Sequence, residues 1–245
     1  SLLPSNIRLI SGPGCPVCVT SQGYIDAACE LAGRPNVTVC TYGDMVRVPG
    51  RGGSLERQRA RGAQVLVVYS PRDAVRLAEE TPYREVVFLA VGFETTSPTI
   101  AATILRARQA NIGNFSIISN HKLIPPAMHV LLEDTTTAID GFLCPGHVSA
   151  IIGIKPYQTI VERYRKGCVV SGFEPLDIVI STYRLMLQIQ EGVPRAEIEY
   201  SRVVQAEGNA KALELLSRVF DVTDARWRGF GVIPRSGLTL KDAYA

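Results

Sequence analysis

The segment Gly12-Pro13-Gly14-Cys15-Pro16-Val17-Cys18 places two cysteines in Cys-x-x-Cys spacing within a turn rich in glycine and proline. An apolar run at residues 7–10 precedes it and an apolar-periodic stretch at residues 19–31 follows, which predicts a strand, a turn and a helix. A helix N-terminus has unpaired N–H groups and a positive dipole end, and both favour the thiolate over the thiol. Because a thiolate is both a nucleophile and a metal ligand, the pair predicts redox chemistry or metal binding.

The spacing of this pair also predicts a disulfide. Side chains three residues apart on a helix share one face, so Cys15 and Cys18 are expected to reach each other. Cys15 lies nearer the helix N-terminus and is therefore predicted to be the more acidic, attacking thiol. The alternative interpretation is two small apolar residues buried beside a tight turn.

Polar or metal-ligating residues recur directly after the predicted strands. They are Cys15, Cys18, Asp44, Arg47, Glu94, Thr95, His121, His147 and Ser149. In a parallel α/β sheet, ligands bind at the carboxyl ends of the strands. The residues expected to border one cleft are Cys15, Cys18, Glu94, His121 and His147. Thiols, imidazoles and a carboxylate suit iron or zinc rather than magnesium.

Each of these residues also has a purely structural interpretation. Glu94 is followed by good N-cap residues and could be a solvated residue at a helix start. His121 and His147 could be histidines with satisfied hydrogen bonds beside caps, and Asp44 could stabilise a turn. The segment 50–54 is either an anion-binding nest or a loop that ends in a Ser54 N-cap.

A structural zinc site is the nearest competing use of the same residues. Cys15 and Cys18 together with Cys144 and His147 supply three sulfurs and one imidazole, a permitted ligand set for zinc. The two pairs come from opposite halves of the chain, whereas most closed zinc sites use ligands that are closer in sequence.

Short β-branched runs alternate with segments of helical periodicity, which predicts βαβ units. The predicted strands are residues 7–10, 37–40, 65–69, 86–91, 115–119, 142–144 and 169–171. Two longer helices are predicted at residues 174–190 and 209–220. We therefore expect an α/β protein with two similar domains, each a mainly parallel sheet flanked by helices, and a cleft between them. The expected domains are residues 1–112, with the Cys-x-x-Cys turn, and residues 113–245, with the C-terminal helices.

The overall composition argues against two classes of partner. The chain has 245 residues with 26 basic and 23 acidic side chains, and its net charge of +3 is too small to indicate nucleic-acid binding. No apolar run approaches the length of a membrane span, and we expect no secretory leader. Six cysteines are too few for a disulfide-stapled secreted domain, so a cytoplasmic location is expected.

Six segments in order closely resemble the hydrogenase maturation factor HypD family. They are Gly-Pro-Gly-Cys-Pro-Val-Cys (12–18), Tyr-Gly-Asp-Met-x-Arg-Val-Pro-Gly (42–50), Gly-Phe-Glu-Thr-Thr (92–96), Asn-His-Lys (120–122), Pro-Gly-His-Val-Ser-x-Ile-x-Gly (145–153) and Gly-Phe-Glu-Pro-x-Asp (172–177). The resemblance runs along essentially the whole chain.

The resemblance implies a role in assembling the iron centre of nickel–iron hydrogenases. Members of the family pair with the small chaperone HypC to hold an iron that carries cyanide and carbon monoxide, Fe(CN)2CO, and HypE delivers the cyanide. Cys15 and Cys18 match the family's redox pair. The family also has a Cys-Gly-Thr-His motif before the first strand and a C-terminal cysteine cluster that holds a 4Fe-4S centre. Neither motif occurs in this sequence, so we expect the chain to be part of a longer protein.

These observations predict an assembly scaffold with a redox-active dithiol rather than a conventional turnover enzyme. The residues assigned to catalysis are Cys15, Cys18, Glu94, Thr95, His121 and His147. Those assigned to cofactor binding are Asp44, Arg47 and Ser149, and those assigned to metal ligation are Cys15, Cys18 and His147. The alternatives are a thiol–disulfide oxidoreductase and a structural zinc protein.

Overall fold

A computed structural model describes residues 3–134 and 136–244 of the chain. Its larger sheet has the strand order β2-β1-β3-β4, and every neighbouring pair is parallel. The strands are β1 (Val37–Thr41), β2 (Gln64–Val67), β3 (Glu85–Gly92) and β4 (Phe115–His121). The central strands β1 and β3 are almost wholly buried, as expected for parallel strands covered by helices on both faces.

Four helices cover this sheet. They are α1 (Gln22–Ala32), α2 (Leu55–Ala60), α3 (Pro71–Glu80) and α4 (Ser97–Gln109). Side chains that alternate along a strand point to opposite faces. Val87 and Leu89 of β3 accordingly pack with α1 and α2, whereas Phe88 and Ala90 pack with α3 and α4.

The smaller sheet has the order β5-β6-β7 and is also parallel. Its strands are β5 (Gly141–Pro145), β6 (Gly167–Ser171) and β7 (Ala196–Ile198). The helices of this half are α5 (Ile124–Glu133), α6 (Gly146–Ile152), α7 (Lys155–Tyr164), α8 (Pro175–Glu191) and α9 (Ala210–Val219). The Asn209 side chain caps α9, and at the start of α8 the Asp177 carboxylate accepts a hydrogen bond from the backbone N–H of Glu174.

An antiparallel hairpin of β8 (Phe220–Trp227) and β9 (Gly231–Leu240) joins the two halves. Phe220 and Leu238 belong to the apolar core of the first sheet. Trp227 and Ile233 belong to the core beneath the second sheet. This hairpin therefore ties the last part of the chain to both cores. The sequence analysis did not predict it.

The structure confirms the predicted fold class, with two parallel sheets flanked by helices. Each predicted strand from residue 37 onward overlaps an observed one, and the predicted helices at 174–190 and 209–220 correspond to α8 and α9. The predicted strand at residues 7–10 is wrong, because this segment pairs with no neighbouring strand among the described residues and is largely exposed. Apolar residues alone do not form a strand without a partner for their backbone groups.

The helix predicted from residue 19 begins later, at Gln22. Ser21 is its N-cap, and the Ser21 hydroxyl accepts a hydrogen bond from the backbone N–H of Tyr24. Cys15 and Cys18 therefore lie in the turn before the helix and not in its first turn, so the predicted helix-dipole effect does not act on them directly.

The division between residues 112 and 113 stays a prediction. Strand β4 begins at Phe115, just beyond that point, and pairs with β3 along its whole length. A division that keeps the larger sheet intact would fall after His121.

In the described part of the chain, no helix is long and apolar enough to cross a membrane.

Candidate functional site

Cys15 and Cys18 form a disulfide in which the two Cα atoms are 5.3 Å apart. The backbone N–H of Cys18 also donates a hydrogen bond to Sγ of Cys15 at 3.2 Å. Cys18 is exposed and Cys15 is partly buried. A reductant can therefore reach the Cys18 sulfur, while the Cys15 sulfur receives a backbone hydrogen bond that stabilises negative charge on it.

A chain of side-chain hydrogen bonds fastens the disulfide turn to strand β4. The hydroxyl of Thr20 donates to the carbonyl of Pro16 at 3.0 Å, and Nδ2 of Asn120 donates to that hydroxyl at 2.9 Å. Nζ of Lys122 then donates to Oδ1 of Asn120 at 2.7 Å. Pro16 lies between the two cysteines, so the network reaches into the Cys-x-x-Cys turn itself.

Arg228, beside the β8–β9 turn, also holds this segment. Its backbone N–H donates to the carbonyl of Val19, and its Nε donates to the carbonyl of Thr20, both at 2.8 Å. Its Nη2 donates to the carbonyl of Pro49 at 2.9 Å. Arg228 therefore links the end of the disulfide turn to the loop that follows β1. The link is strong because hydrogen bonds from a charged donor are stronger than those from a neutral one.

Glu94 lies between β3 and α4 and is only 2% exposed. Its Oε1 accepts a hydrogen bond from the backbone N–H of Ile124, the first residue of α5, at 2.8 Å. Its Oε2 is buried and has no hydrogen-bond partner among the described residues. Burial raises the pKa of Glu94 to about 7, against the opposing effect of the hydrogen bond from Ile124. The neighbouring Thr95 is exposed.

The raised pKa of Glu94 predicts a pH-dependent stability. The folded protein retains the carboxyl proton between pH 4.5 and about 7, while the unfolded chain loses it, so this contribution to stability falls as pH rises through that window. Glu94→Gln keeps an oxygen for the Ile124 N–H and removes the charge. We expect the variant to gain about 1–3 kcal/mol of unfolding free energy at pH 8 and almost none at pH 4.5.

Urea denaturation of both proteins at the two pH values measures this difference. The exposed Glu79, changed to Gln, is the matched control and should show no such pH dependence. An equal difference at pH 4.5 and pH 8 for Glu94→Gln would contradict the buried, proton-binding role of this carboxyl.

His121 is 1% exposed and lies on the face of β4 opposite Asn120. Its ring packs edge-on against Phe220 of the hairpin, with centroids 5.2 Å apart. Oγ of Ser119 donates to the carbonyl of Leu238 at 2.6 Å, so Nδ1 of His121 donates to Ser119 Oγ at 2.9 Å. Nε2 is then an acceptor, and it has no partner among the described residues.

The buried surroundings keep His121 uncharged. Burial, with the nearby Lys122 ammonium, lowers the pKa of His121 to about 3. The structure does not bring its imidazole to the disulfide turn, because alternate side chains of β4 face opposite sides of the sheet. The predicted catalytic role of His121 stays a prediction.

His147 and Ser149 lie in the short helix α6, which follows β5. The His147 ring is exposed and packs on Phe173 with centroids 4.3 Å apart. Ser149 is buried, donates to the carbonyl of Pro145 at 2.8 Å and accepts from the hydroxyl of Tyr157 at 3.0 Å. Ser149 therefore has its hydrogen bonds satisfied within the protein. Val148, between the two, belongs to the same apolar core as Val19.

Asp44 and Arg47 lie in the loop after β1, and both side chains are exposed. Nε of Arg47 donates to Glu56 at 3.2 Å, so its charge is partly compensated. The next segment is the possible anion nest, and there the backbone N–H groups of Arg51 and Gly52 donate to the carboxylate of Asp26. The anion held by this loop is thus one of the protein's own side chains. Ser54 caps α2. This was the second alternative predicted for residues 50–54, a loop that ends in a Ser54 N-cap.

Among the described residues, the predicted metal ligands do not form a preassembled metal site. Within residues 3–134 and 136–244, no group of three or more His, Cys, Asp or Glu side chains is placed to hold a metal ion. Cys15 and Cys18 are joined in a disulfide, and a disulfide sulfur is not a thiolate ligand. Metal ligation by Cys15, Cys18 and His147 would therefore require reduction of the pair first.

The remaining cysteines do not fit a 4Fe-4S cluster, which needs four converging thiolates. Cys29, Cys40, Cys144 and Cys168 are free and buried. Cys144 and Cys168 lie on neighbouring strands and interact, and burial raises the pKa of Cys144. Cys29 lies on α1 and belongs to a different core, on one face of the larger sheet. Cys29 and Cys168 are thus small buried residues of the two cores.

Sequence reasoning missed the residues that connect the site. Thr20, Asn120, Lys122 and Arg228 hold the disulfide turn by hydrogen bonds. Asn120 and Lys122 flank His121, the residue of the Asn-His-Lys segment that we predicted to be catalytic. The alternation of side chains along a predicted strand could have separated them from His121, since residues 120 and 122 share the face opposite to residue 121.

Comparisons with known proteins show the family of the chain. A family model described as "HypD: Hydrogenase formation hypA family" matches residues 1–245. Hydrogenase maturation factor HypD2 of Bradyrhizobium diazoefficiens is 48% identical over 252 residues, covering 100% of this chain and 66% of that relative. The hydrogenase expression/formation protein HupD of Azotobacter chroococcum is 47% identical, with the same two coverages.

A third relative gives the same result. Hydrogenase maturation factor HypD of Escherichia coli K12 is 46% identical over 244 residues, covering 99% of this chain and 65% of that relative. The chain thus spans about two thirds of the length of the curated relatives that it matches. With a family match along its whole length and this level of identity, the chain belongs to the HypD family of hydrogenase formation proteins.

Proposed function

We propose that this chain acts in hydrogenase maturation as a scaffold on which the iron centre of nickel–iron hydrogenases is assembled. The iron with its cyanide and carbon monoxide ligands, Fe(CN)2CO, is the cargo of the scaffold and not a resident cofactor. A HypC-type chaperone and a HypE-type cyanide donor are the proposed partners, and the proposed location is the cytoplasm. The names of the relatives support the role in maturation, and the finer steps rest on the resemblance of the motifs.

The observation that carries the proposal is the Cys15–Cys18 disulfide on an accessible turn. A disulfide that is solvent-reachable on one sulfur can exchange with an external thiol, whereas buried structural pairs resist exchange. The turn is held by residues from distant parts of the chain, Asn120 and Arg228. Such support fixes the positions of the two sulfurs without burying them.

In its reduced state the pair would supply two thiolate ligands or two electrons to the bound iron. Thiolates are soft, strong donors of the kind that hold iron in proteins. In its oxidised state the pair offers no thiolate. The redox state of Cys15 and Cys18 would thus decide whether the scaffold can accept its cargo.

Glu94 supports the scaffold by linking the two halves. Its carboxyl caps α5 from the loop after β3, and the loop packs through Phe93 on Trp227, with ring centroids 6.2 Å apart. We assign Glu94 to the positioning of α5 and not to direct chemistry on the cargo. Asp44, Arg47 and His147 are exposed, and we propose them as residues that meet a partner or the cargo.

A simple thiol–disulfide oxidoreductase is the second candidate, because the disulfide itself favours it. The two functions differ in what the chain must hold. A scaffold should form a stable complex with a HypC-type protein and restore hydrogenase activity in cells that lack their own HypD gene. An oxidoreductase should exchange disulfides with unrelated thiol proteins and do neither.

The test expresses the gene encoding this chain in such a deletion strain, together with a tagged HypC-type partner. We expect restored hydrogenase activity and recovery of the chain with the tagged partner. Absence of both, with normal amounts of folded protein, would contradict the scaffold function and leave the oxidoreductase.

A further inference from the structure

Lys122 carries a buried positive charge for which the described residues supply no anionic partner. Its side chain is 2% exposed, and its ammonium donates to the neutral amide oxygen of Asn120 at 2.7 Å. No Asp or Glu oxygen of the described residues lies within 4 Å of Nζ. A buried ammonium without a counter-ion is unfavourable, and burial lowers the pKa of Lys122 to about 8.

The hydrogen bonds of this ammonium lead to the disulfide. Asn120 receives the bond from Lys122 and passes its own amide hydrogen to Thr20, whose hydroxyl donates to the carbonyl of Pro16. Thr20 is fully buried and Asn120 nearly so. Three successive hydrogen bonds in a water-poor environment therefore connect Lys122 to the turn that carries both sulfurs.

Other charged groups near the network do not neutralise Lys122. The carboxyl of Glu94 is engaged with the N–H of Ile124, and burial keeps much of it protonated near neutral pH. His121 lies on the opposite face of β4 and is neutral. Arg228, which also holds the turn, adds a second positive charge rather than a negative one.

We propose that Lys122 is the counter-ion of the thiolate that forms when the Cys15–Cys18 disulfide is reduced, and that Asn120 and Thr20 are positioning residues that hold the turn against it. The proposal rests on the redox function proposed above and adds the residue that sets the reduction potential of the pair.

The reaction involves a thiol reductant such as glutathione. One glutathione thiolate attacks a protein sulfur, the S–S bond breaks, and a mixed disulfide forms; a second glutathione then displaces the first as oxidised glutathione. Two glutathione thiols are oxidised and the protein pair gains two electrons. Of the two protons, one stays on a protein thiol and one is released, so one sulfur remains a thiolate in the turn that three hydrogen bonds connect to the Lys122 charge.

A positive charge near this thiolate stabilises the reduced state relative to the disulfide. Removing the charge should therefore make the disulfide harder to reduce. For Lys122→Met, which keeps the length of the apolar stem, we expect the equilibrium constant for reduction by glutathione to fall about tenfold. For a two-electron couple this is a decrease of about 30 mV in reduction potential.

The experiment equilibrates the purified chain in a series of glutathione buffers at pH 7.5, blocks free thiols, and quantifies oxidised Cys15 and Cys18 by peptide mass spectrometry. Lys122→Arg, which keeps the charge, should stay within about threefold of the unmodified protein. Lys211→Met removes an exposed lysine on α9 and is the matched control, with no shift expected. Circular dichroism checks that each variant is folded.

Thr20→Val provides a second test if Lys122→Met does not fold. It removes the hydroxyl that joins Asn120 to Pro16 at nearly constant volume and leaves the lysine in place. We expect a shift in the same direction, between twofold and tenfold.

The outcomes separate this inference from the proposed function. If the unmodified pair is reduced and reoxidised reversibly but neither Lys122→Met nor Thr20→Val shifts the equilibrium, the counter-ion role is wrong and the redox function stands. An equal shift in Lys122→Met and Lys122→Arg would also overturn it, since the effect would not depend on charge. If the unmodified pair shows no reversible equilibrium, the redox function fails and the counter-ion role fails with it.

Discussion

Replacing Cys15 with serine is expected to reduce hydrogenase activity in maturing cells to the background of cells that lack the gene. Serine has nearly the same shape as cysteine, but its hydroxyl forms no disulfide and is a poor ligand for iron. Cys18→Ser should have the same effect, because either change removes the Cys15–Cys18 disulfide. The measurement is hydrogenase activity in a deletion strain that carries each variant gene.

The fold should tolerate both changes. Neither cysteine is part of an apolar core cluster among the described residues, and we expect the unfolding free energy to change by no more than about 1–2 kcal/mol. Cys29→Ala is the matched control, since it removes a free buried thiol from α1 without touching the turn. It should leave hydrogenase activity close to normal.

Two results would contradict the redox role. Full activity in Cys15→Ser would show that the disulfide is dispensable. Loss of activity that is matched by loss of folded protein would return the two cysteines to the alternative of small structural residues beside a turn.

Trp227→Ala is expected to destabilise the protein by about 3–5 kcal/mol, the cost typical of a fully buried aromatic side chain. Trp227 is 1% exposed and belongs to the core beneath the second sheet. Its Nε1 donates to the hydroxyl of Ser236 at 2.8 Å, and its backbone pairs with Thr20. The same residue therefore supports the hairpin, the core and the end of the disulfide turn.

Two variants make the origin of this loss clear. Trp227→Phe keeps an aromatic ring against Phe93 but loses the hydrogen bond to Ser236, and we expect an intermediate loss of about 1–3 kcal/mol. Phe230→Ala in the neighbouring turn is the control, because that ring is 39% exposed and its removal should cost less than about 1 kcal/mol.

Denaturant unfolding of the purified proteins gives all three values. A loss below 1 kcal/mol for Trp227→Ala would show that the hairpin does not join the two halves as described. The reduction potential of the Cys15–Cys18 pair in Trp227→Ala is a further measurement. Loss of the Trp227 side chain should loosen Thr20, and Thr20 holds the turn that carries the disulfide.

The sequence predicted those parts of the fold that depend on local patterns. Strands β1 and β3 are short runs of β-branched and apolar residues, and buried parallel strands require such runs. Helix α8 begins at Pro175, a residue type favoured at the first helical position, and α9 follows the capping residue Asn209. In these cases local propensity and tertiary burial favour the same structure.

The hairpin was missed because its pattern is mixed. Strand β8 has exposed residues along most of its length, and a register shift interrupts the pairing between Thr223 and Ala225. Charged residues near Trp227 gave no clear alternation. The pairing of β8 with β9 is stabilised by contacts with two distant cores, and this information is absent from the local sequence.

At the candidate site, the sequence predicted the disulfide but not the hydrogen bonds that hold its turn. The Cys-x-x-Cys pair was identified correctly as able to form a disulfide, while its position in a helix was wrong. Residues that follow strands do gather at one edge of a sheet, but the side chains then divide between two faces, and this division separates His121 from Asn120. Lys122 gave no signal because a buried lysine cannot be told from an exposed one by residue type.

We expect the reduced Cys15–Cys18 pair to accept the iron cargo during hydrogenase maturation. Infrared spectroscopy of the chain purified with its HypC-type partner from maturing cells tests this claim most directly, because iron-bound cyanide and carbon monoxide absorb in a region free of protein bands. We predict that the unmodified protein shows bands of both ligands and that folded Cys15→Ser shows neither. Bands of equal intensity in the two proteins would contradict the claim.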